Sequence, residues 1–157
     1  MEREFTVKPI GIIHTPFREP ADAPIQGSFE PGEEGTVEVF DPYADGLADV
    51  DGFSHLILLY RFHKAKPPAL LVKPFLVDEP KGVFATRAPR RPNGIGLTIV
   101  RLLGREGNVL RVAGVDMLEG TPLIDIKPYV PDFDHRTEIR CGWLDDALRE
   151  RRRTTES

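Results

Sequence analysis

The sequence predicts an all-β fold, closed or nearly closed, with about six or seven strands and one short C-terminal helix. Three observations predict it. Short runs rich in β-branched and aromatic residues recur between turn signals, with 15 prolines and 14 glycines in 157 residues. Strands do not alternate with crossover helices, as a parallel sheet would require. Helical spacing appears only near the end, at Trp143, Leu144, Ala147 and Leu148.

Phe5 to His14 (FTVKPIGIIH) alternates and reads as a first strand, with Pro9 marking an edge or a bulge. Thr15 to Gly35 is a long irregular segment carrying Pro16, Pro20, Pro24 and Pro31. Such stretches in a compact domain are usually functional or disordered. The apolar anchors around Gln26-Gly27-Ser28 favour an ordered loop that wraps a ligand. Thr36 to Phe40 (TVEVF) is a second strand, stopped by Asp41-Pro42, and Tyr43 to Val50 suits a helical turn. Phe53 to His63 is apolar on both faces from Leu56 to Tyr60. That suits a strand buried on both sides or a short buried helix, and its length and the bounding Gly and Pro favour the strand. Four prolines make Lys64 to Pro80 a connection.

Lys81 to Leu103 (KGVFATRAPRRPNGIGLTIVRLL) reads as a hairpin. Its limbs are Val83-Phe84-Ala85 and the alternating run Ile95 to Leu102, joined through Pro89, Pro92 and Asn93-Gly94. A turn does not explain Arg87, Arg90 and Arg91 packed into five residues. Guanidinium groups present planar forks of donors suited to carboxylate and phosphate, although a solvated cationic turn would read the same way. Val109 to Val115 is a further strand, Asp116 to Pro122 a loop, Leu123 to Ile126 a short strand and Pro131 to His135 a turn. The terminal helix places Arg149 to Arg153 where the helix dipole favours cations. The expected division is a barrel domain over residues 1–140 and a helix with a basic tail over 141–157.

The length fits one domain able to bury a core without disulfides or metal. A net charge of −4 argues against coating nucleic acid through bulk charge, but not against a local basic patch. The single cysteine, Cys141, excludes an internal disulfide, fits a reducing compartment and reads as a core or helix-start residue. The N-terminus lacks the apolar core of a secretory leader, and no run approaches bilayer length, so the expectation is a soluble, cytoplasmic protein with no membrane partner. His55 and His63 sit eight residues apart on one expected strand, about 26 Å if extended, too far to share an ion, and no metal is expected. Gly94-Ile95-Gly96 lacks the third glycine and the following helix of a dinucleotide site.

Asp116, Glu119 and Asp125 place three carboxylates within ten residues, with Lys127-Pro128-Tyr129 just beyond. Carboxylates there can bind ribose hydroxyls, balance a cationic ligand or accept protons, and an acidic turn that keeps an edge soluble is an equal alternative.

Four ordered blocks go further. Ile10 to Phe17 (IGIIHTPF), Phe53-Ser54-His55-Leu56, Gly82 to Gly96 (GVFATRAPRRPNGIG) and Asp116 to Tyr129 (DMLEGTPLIDIKPY) resemble the signature blocks of the TsaA-like (YaeB, VirR) family, whose characterised members are the tRNA methyltransferase TrmO. Order and spacing match from about Val7 to Pro131. The resemblance implies a single-sheet antiparallel β-barrel, a homodimer, and S-adenosylmethionine bound without a Rossmann fold. It also implies methyl transfer to N6 of threonylcarbamoyl-adenosine beside the tRNA anticodon. By position, cofactor contacts fall at Gln26, Gly27 and Ser28, at His63 and Lys64, at Arg87 and Leu97, and at Val115, Asp116, Met117 and Leu118. Asp125 and Tyr129 become candidate proton acceptors, and Arg90 and Arg91 candidate RNA contacts. Longer family members carry a further C-terminal region, where this chain has one helix and Arg149 to Arg153. Two other readings compete: a non-catalytic barrel that binds a nucleoside or RNA, and a methyltransferase for a small-molecule acceptor.

Overall fold

The computed structural model describes residues 3–23 and 32–156, so the expected Gln26-Gly27-Ser28 loop lies outside the described residues. Six antiparallel strands close into one barrel in the order β1, β2, β7, β6, β3, β8. They are β1 (Gly11–His14), β2 (Glu34–Val39), β3 (His55–Arg61), β6 (Ile95–Glu106), β7 (Val109–Ala113) and β8 (Thr121–Pro128). A separate two-stranded arm pairs β4 (Leu71–Val72) with β5 (Lys81–Gly82). A single helical turn, α1 (Pro131–Asp134), and the terminal helix α2 (Trp143–Glu156) follow.

Closure rests on the short strand β1, which pairs with β2 from Gly11↔Val39 to His14↔Thr36 and with β8 from Gly11↔Leu123 to Ile13↔Thr121. A closed barrel has no exposed strand edge to template aggregation. Gly11 is required at this seam because a Cβ there would run into the Glu38 carbonyl of β2. The interior is aliphatic: Ile13, Val37, Leu56, Leu58, Val100, Leu110, Val112 and Leu123 are fully buried. Asp41–Leu47 and Val50–Gly52 form short 3-10 turns, as the Asp41-Pro42 break suggests.

Three sequence expectations change. The first strand begins only at Gly11, after Pro9. Phe53 to His63 is not buried on both sides: Leu56, Leu58 and Tyr60 point inward, while the alternate residues Ile57 and Leu59 are only partly covered. The stretch from Lys81 to Leu103 is not a hairpin. Val83–Ala85 forms a 3-10 turn, and the partners of β6 are β3, from His55↔Arg101 to Arg61↔Ile95, and β7, from Arg101↔Ala113 onward. The incoming limb pairs instead with Leu71–Val72, inside the region read as a connection.

Helix α2 presents Ala147 buried and Trp143, Leu144 and Leu148 partly covered, and the Trp143 indole donates to the Ala85 carbonyl at 2.8 Å. Cys141 is exposed and its carbonyl accepts from Leu144 N as the helix begins. Among the described residues, no helix is long and apolar enough to cross a membrane.

Gly96 gives β6 its fit against β3: a Cβ there would strike the rings of Tyr60 and Phe62, which meet edge to face at 5.5 Å. Overpacking of this kind costs roughly 1–3 kcal/mol. Gly96→Ala is therefore expected to lower the unfolding free energy measured by denaturant titration by that amount and to alter tyrosine fluorescence; unchanged stability would contradict the packing.

Candidate functional site at the barrel mouth

The end of the barrel where β1 and β3 finish and β6 and β8 begin is closed by Thr15–Phe17, by the chain leaving β3 and by the loop from Gly114 to Gly120. That loop is pinned from several sides. Thr15 Oγ1 donates to the Met117 carbonyl at 2.8 Å, Glu119 N to the Phe17 carbonyl at 2.7 Å and Gly120 N to the Ile13 carbonyl at 3.0 Å. Thr121 Oγ1 donates to the Leu118 carbonyl at 2.6 Å. Gly120 takes φ +80°, a left-handed conformation that favours glycine. Val115 and Met117 are buried, so their side chains anchor the loop in the core.

Pinning the loop aims Asp116 into the mouth. Thr98 Oγ1 donates to Asp116 Oδ1 at 2.7 Å, and the Tyr60 hydroxyl lies 2.8 Å from Thr98 Oγ1 and 3.5 Å from Asp116 Oδ1. Tyr60 and Thr98 are themselves buried, on adjacent strands β3 and β6. Burial raises the Asp116 carboxyl above its ordinary value, while the Thr98 and Tyr60 hydroxyls and the nearby Arg87 guanidinium pull it back down. Burial, and then the Asp116 charge, push the Tyr60 phenol well up, so it stays protonated and acts as a donor. The result is a carboxylate kept in a half-buried place by two hydroxyls, with a cation opposite.

His63 stands at the same rim, its Nε2 4.0 Å from where a Cβ on Gly120 would be. Burial and the neighbouring Lys64 lower its pKa, which favours a neutral imidazole. His14 has the opposite surroundings. Nδ1 lies 2.8 Å from Glu119 Oε1 and Nε2 3.1 Å from Glu38 Oε2, and Gly120 N donates to the same Glu119 oxygen at 2.7 Å. The Glu38 hydrogen bond is the largest cause of its raised pKa, with Glu119 adding and burial opposing. An imidazolium there clamps β1, β2 and the mouth loop together.

The structure brings together His63, Arg87 and Val115-Asp116-Met117-Leu118, with Lys64 following directly. It does not bring the other candidates to this place. Leu97 follows the opposite parity from Thr98 and lies on the outer barrel wall with Ile95 and Ile99. Asp125 pairs in register with outward-facing Leu59 and forms a 3.2 Å ion pair with Lys127. Tyr129 sits at the start of β3, its N–H on the His55 carbonyl and its ring edge-on to His55 at 6.4 Å. That is five residues, about 16 Å of strand, below Tyr60. Arg91 Nη1 is committed to the carbonyls of Val83, Thr86 and Ala88, and Arg90 Nε to that of Pro67. Sequence reasoning missed Tyr60, Thr98 and the role of His14 with Glu119. The signal for the first two was a hydroxyl at an inward parity of an otherwise aliphatic strand. Among the described residues, no group of three or more metal-ligating side chains occurs.

The class that the fold and site define is a closed antiparallel β-barrel whose mouth holds a half-buried carboxylate within electrostatic reach of an arginine. Comparison with known proteins specifies the family. Residues 12–135 match the tRNA-methyltransferase O N-terminal domain. A probable S-adenosyl-L-methionine-binding protein of Pyrococcus abyssi is 59% identical over 138 residues, covering 88% of this chain and 75% of that protein. The tRNA (adenine(37)-N6)-methyltransferase of Mus musculus is 37% identical over 134 residues, 81% of this chain but 31% of its own length. The crystal structure of TrmO from Pseudomonas aeruginosa superposes with a TM-score of 0.77 at 42% identity, covering 90% of this chain and 63% of that one. The chain belongs to the tRNA-methyltransferase O N-terminal domain family, and it spans less than two thirds of that solved relative.

The histidines carry opposite pH dependences. The pKa of His14 is raised on folding, so its stabilisation is complete below the ordinary value of 6.5 and is lost as pH rises through the folded value. That of His63 is lowered, so its contribution is lost as pH falls. Comparing wild type with His14→Gln isolates the first. The melting temperature of wild type is expected to exceed that of the variant most at about pH 6 and least at about pH 8.5; a difference independent of pH would contradict the clamp.

Proposed function

We propose that this chain binds S-adenosylmethionine at the barrel mouth and transfers its methyl group to tRNA, at N6 of a threonylcarbamoyl-adenosine beside the anticodon. The carrying observation is Asp116, held half-buried by Thr98 and Tyr60 opposite Arg87, in a chain of the tRNA-methyltransferase O domain family. The names of the relatives from Pyrococcus abyssi and mouse support the cofactor and the tRNA acceptor respectively. A tRNA acceptor also fits a cytoplasmic protein.

The donor set fits the cofactor. S-adenosylmethionine supplies an electrophilic methyl on a sulfonium, and it also carries an ammonium, a carboxylate and an adenine. The Asp116 carboxylate suits the cationic part and the Arg87 guanidinium the carboxylate. His63, neutral and at the rim with Lys64, completes the polar wall. Val115 N and the Met117 and Leu118 carbonyls are tied within the protein and fix the shape of the loop, and the remaining main-chain groups of Val115 to Leu118 are the proposed readers of the adenine edge. Gln26, Gly27, Ser28 and Leu97 belong to the same proposed contact set. Methyl transfer is an in-line displacement, so rate comes chiefly from holding donor and acceptor in position. Rigid placement of Asp116 serves that purpose.

The acceptor nitrogen must lose a proton, and Asp125 and Tyr129 remain the proposed acceptors. One chain keeps Asp125 on the outer wall and Tyr129 at the far end, so either role requires a partner subunit in a homodimer. The outward apolar row Ile95, Leu97 and Ile99 on β6, beside Ile57 and Leu59 on β3, suits such an interface.

Calorimetry tests the cofactor assignment. Wild type is expected to bind S-adenosylmethionine with micromolar or better affinity, and Asp116→Asn to weaken binding about tenfold or more, as expected when one partner of a charge pair is removed. Absence of binding by the wild type would overturn both enzyme readings, and an unaffected Asp116→Asn would overturn the assigned site.

A further inference from the structure

We propose that the β4–β5 arm and its flanks, residues 64–91, form the surface that grips the single-stranded anticodon loop, with Phe84 as a stacking platform for a base. This deepens the assignment of tRNA as acceptor and rests on it.

Charge is sharply partitioned. Residues 64–91 carry seven Lys and Arg against two Asp and Glu, a net of +5, in a chain whose net charge is −4. The remainder of the chain therefore carries −9. On a chain that is acidic overall, the arm is a local basic patch, and such a patch steers polyanions toward itself. Among the described residues, Lys64, Lys66, Lys73 and Arg87 enter no ion pair within 4.0 Å.

The same arm exposes rings. Phe84 is 75% exposed and Phe75 70%, beside the exposed Leu70 and Leu71. Phe84 is not on a loose loop. It lies between Val83, which is 1% exposed and donates its N–H to the Leu70 carbonyl at 2.8 Å, and Ala85, whose carbonyl accepts the Trp143 indole. Arg91 ties the Val83, Thr86 and Ala88 carbonyls together, and Ala69 N donates to the Arg90 carbonyl at 3.1 Å. The backbone beneath the ring is thus fixed on both sides, while the ring itself faces solvent.

A rigid exposed aromatic among exposed cations is the pattern that binds unstacked bases and their phosphates. An apolar protein partner would not need the charge. Duplex RNA would not use the rings, because its bases are already stacked. The arm also runs straight into the mouth, since Arg87 lies within electrostatic reach of Asp116. A loop laid on the arm therefore delivers a splayed-out nucleotide toward the methyl donor.

The test is fluorescence anisotropy with a labelled anticodon stem-loop, across a salt series, beside S-adenosylmethionine calorimetry on the same full-length variants. Phe84→Ala is expected to weaken RNA binding about 5- to 150-fold, and Phe84→Trp to restore it. Lys66→Gln and Lys73→Gln are each expected to reduce the slope of log affinity against log salt by about 0.7–0.9. S-adenosylmethionine affinity and melting temperature should stay at wild-type values in all four. Wild-type RNA affinity and salt slope retained throughout the set would overturn the arm while leaving the tRNA assignment standing. Failure of wild type to bind the stem-loop while binding the cofactor would overturn the tRNA assignment and the arm with it. Phe84-dependent binding to anionic phospholipid vesicles, without RNA binding, would reassign the surface to membrane and overturn the proposal.

Discussion

Everything at the barrel mouth depends on keeping one carboxylate half out of water. Asp116 would be costly there unless hydrogen-bonded, and the costs are offset by hydroxyls from two neighbouring strands, Thr98 at 2.7 Å and Tyr60 at 3.5 Å. That requirement reaches back through the fold. Tyr60 can present its hydroxyl only because Gly96 leaves room for its ring. Thr98 faces inward only because β6 pairs with β3 in the register Leu58↔Thr98. The loop bearing Asp116 is held by Thr15, Thr121 and the main chain of Ile13 and Phe17. A barrel with this closure is a frame for a fixed charge.

The stretch Lys81 to Leu103 shows how one segment divides its work. Its cations do not act as a single patch. Arg87 faces the mouth, Arg91 holds three carbonyls of its own turn, and Arg90 reaches Pro67 on the adjoining limb. Beyond Gly94, the chain becomes wall: Gly96, Thr98 and Val100 face inward while Ile95, Leu97 and Ile99 face out. The proposed ligand sites and the structural frame are thus interleaved residue by residue.

Much of the fold was legible in the sequence, for identifiable reasons. Alternation placed β2, β6 and β7, proline and Asn-Gly placed the breaks, and the terminal helix was visible in its spacing. The false hairpin arose because local composition reports a residue's taste for extended backbone, not which segment it pairs with. Val83-Phe84-Ala85 is as β-prone as a strand, yet the strands that pair with β6 are β3 and β7. At the site, Asp116 was visible as a carboxylate in a loop between strands. Its partners were not, since a lone Tyr or Thr in an aliphatic run reads as packing until the register sets it beside a charge. The separation of Tyr129 from Asp116 was equally invisible, because thirteen residues along a loop and a strand turn a short sequence distance into opposite ends of a barrel, and Asp125, nine residues on, falls on the outer wall.

The central claim, methyl transfer from S-adenosylmethionine to a threonylcarbamoyl-adenosine of tRNA, is tested most directly by one assay. Purified protein is incubated with isotopically labelled S-adenosylmethionine and either native tRNA or tRNA from cells unable to make the threonylcarbamoyl group. Label is then followed by mass spectrometry of the digested nucleosides. Label on the threonylcarbamoyl-adenosine of native tRNA, and none on the deficient tRNA, is the expected result. Equal labelling of both tRNAs, or of neither while the cofactor binds, would contradict it.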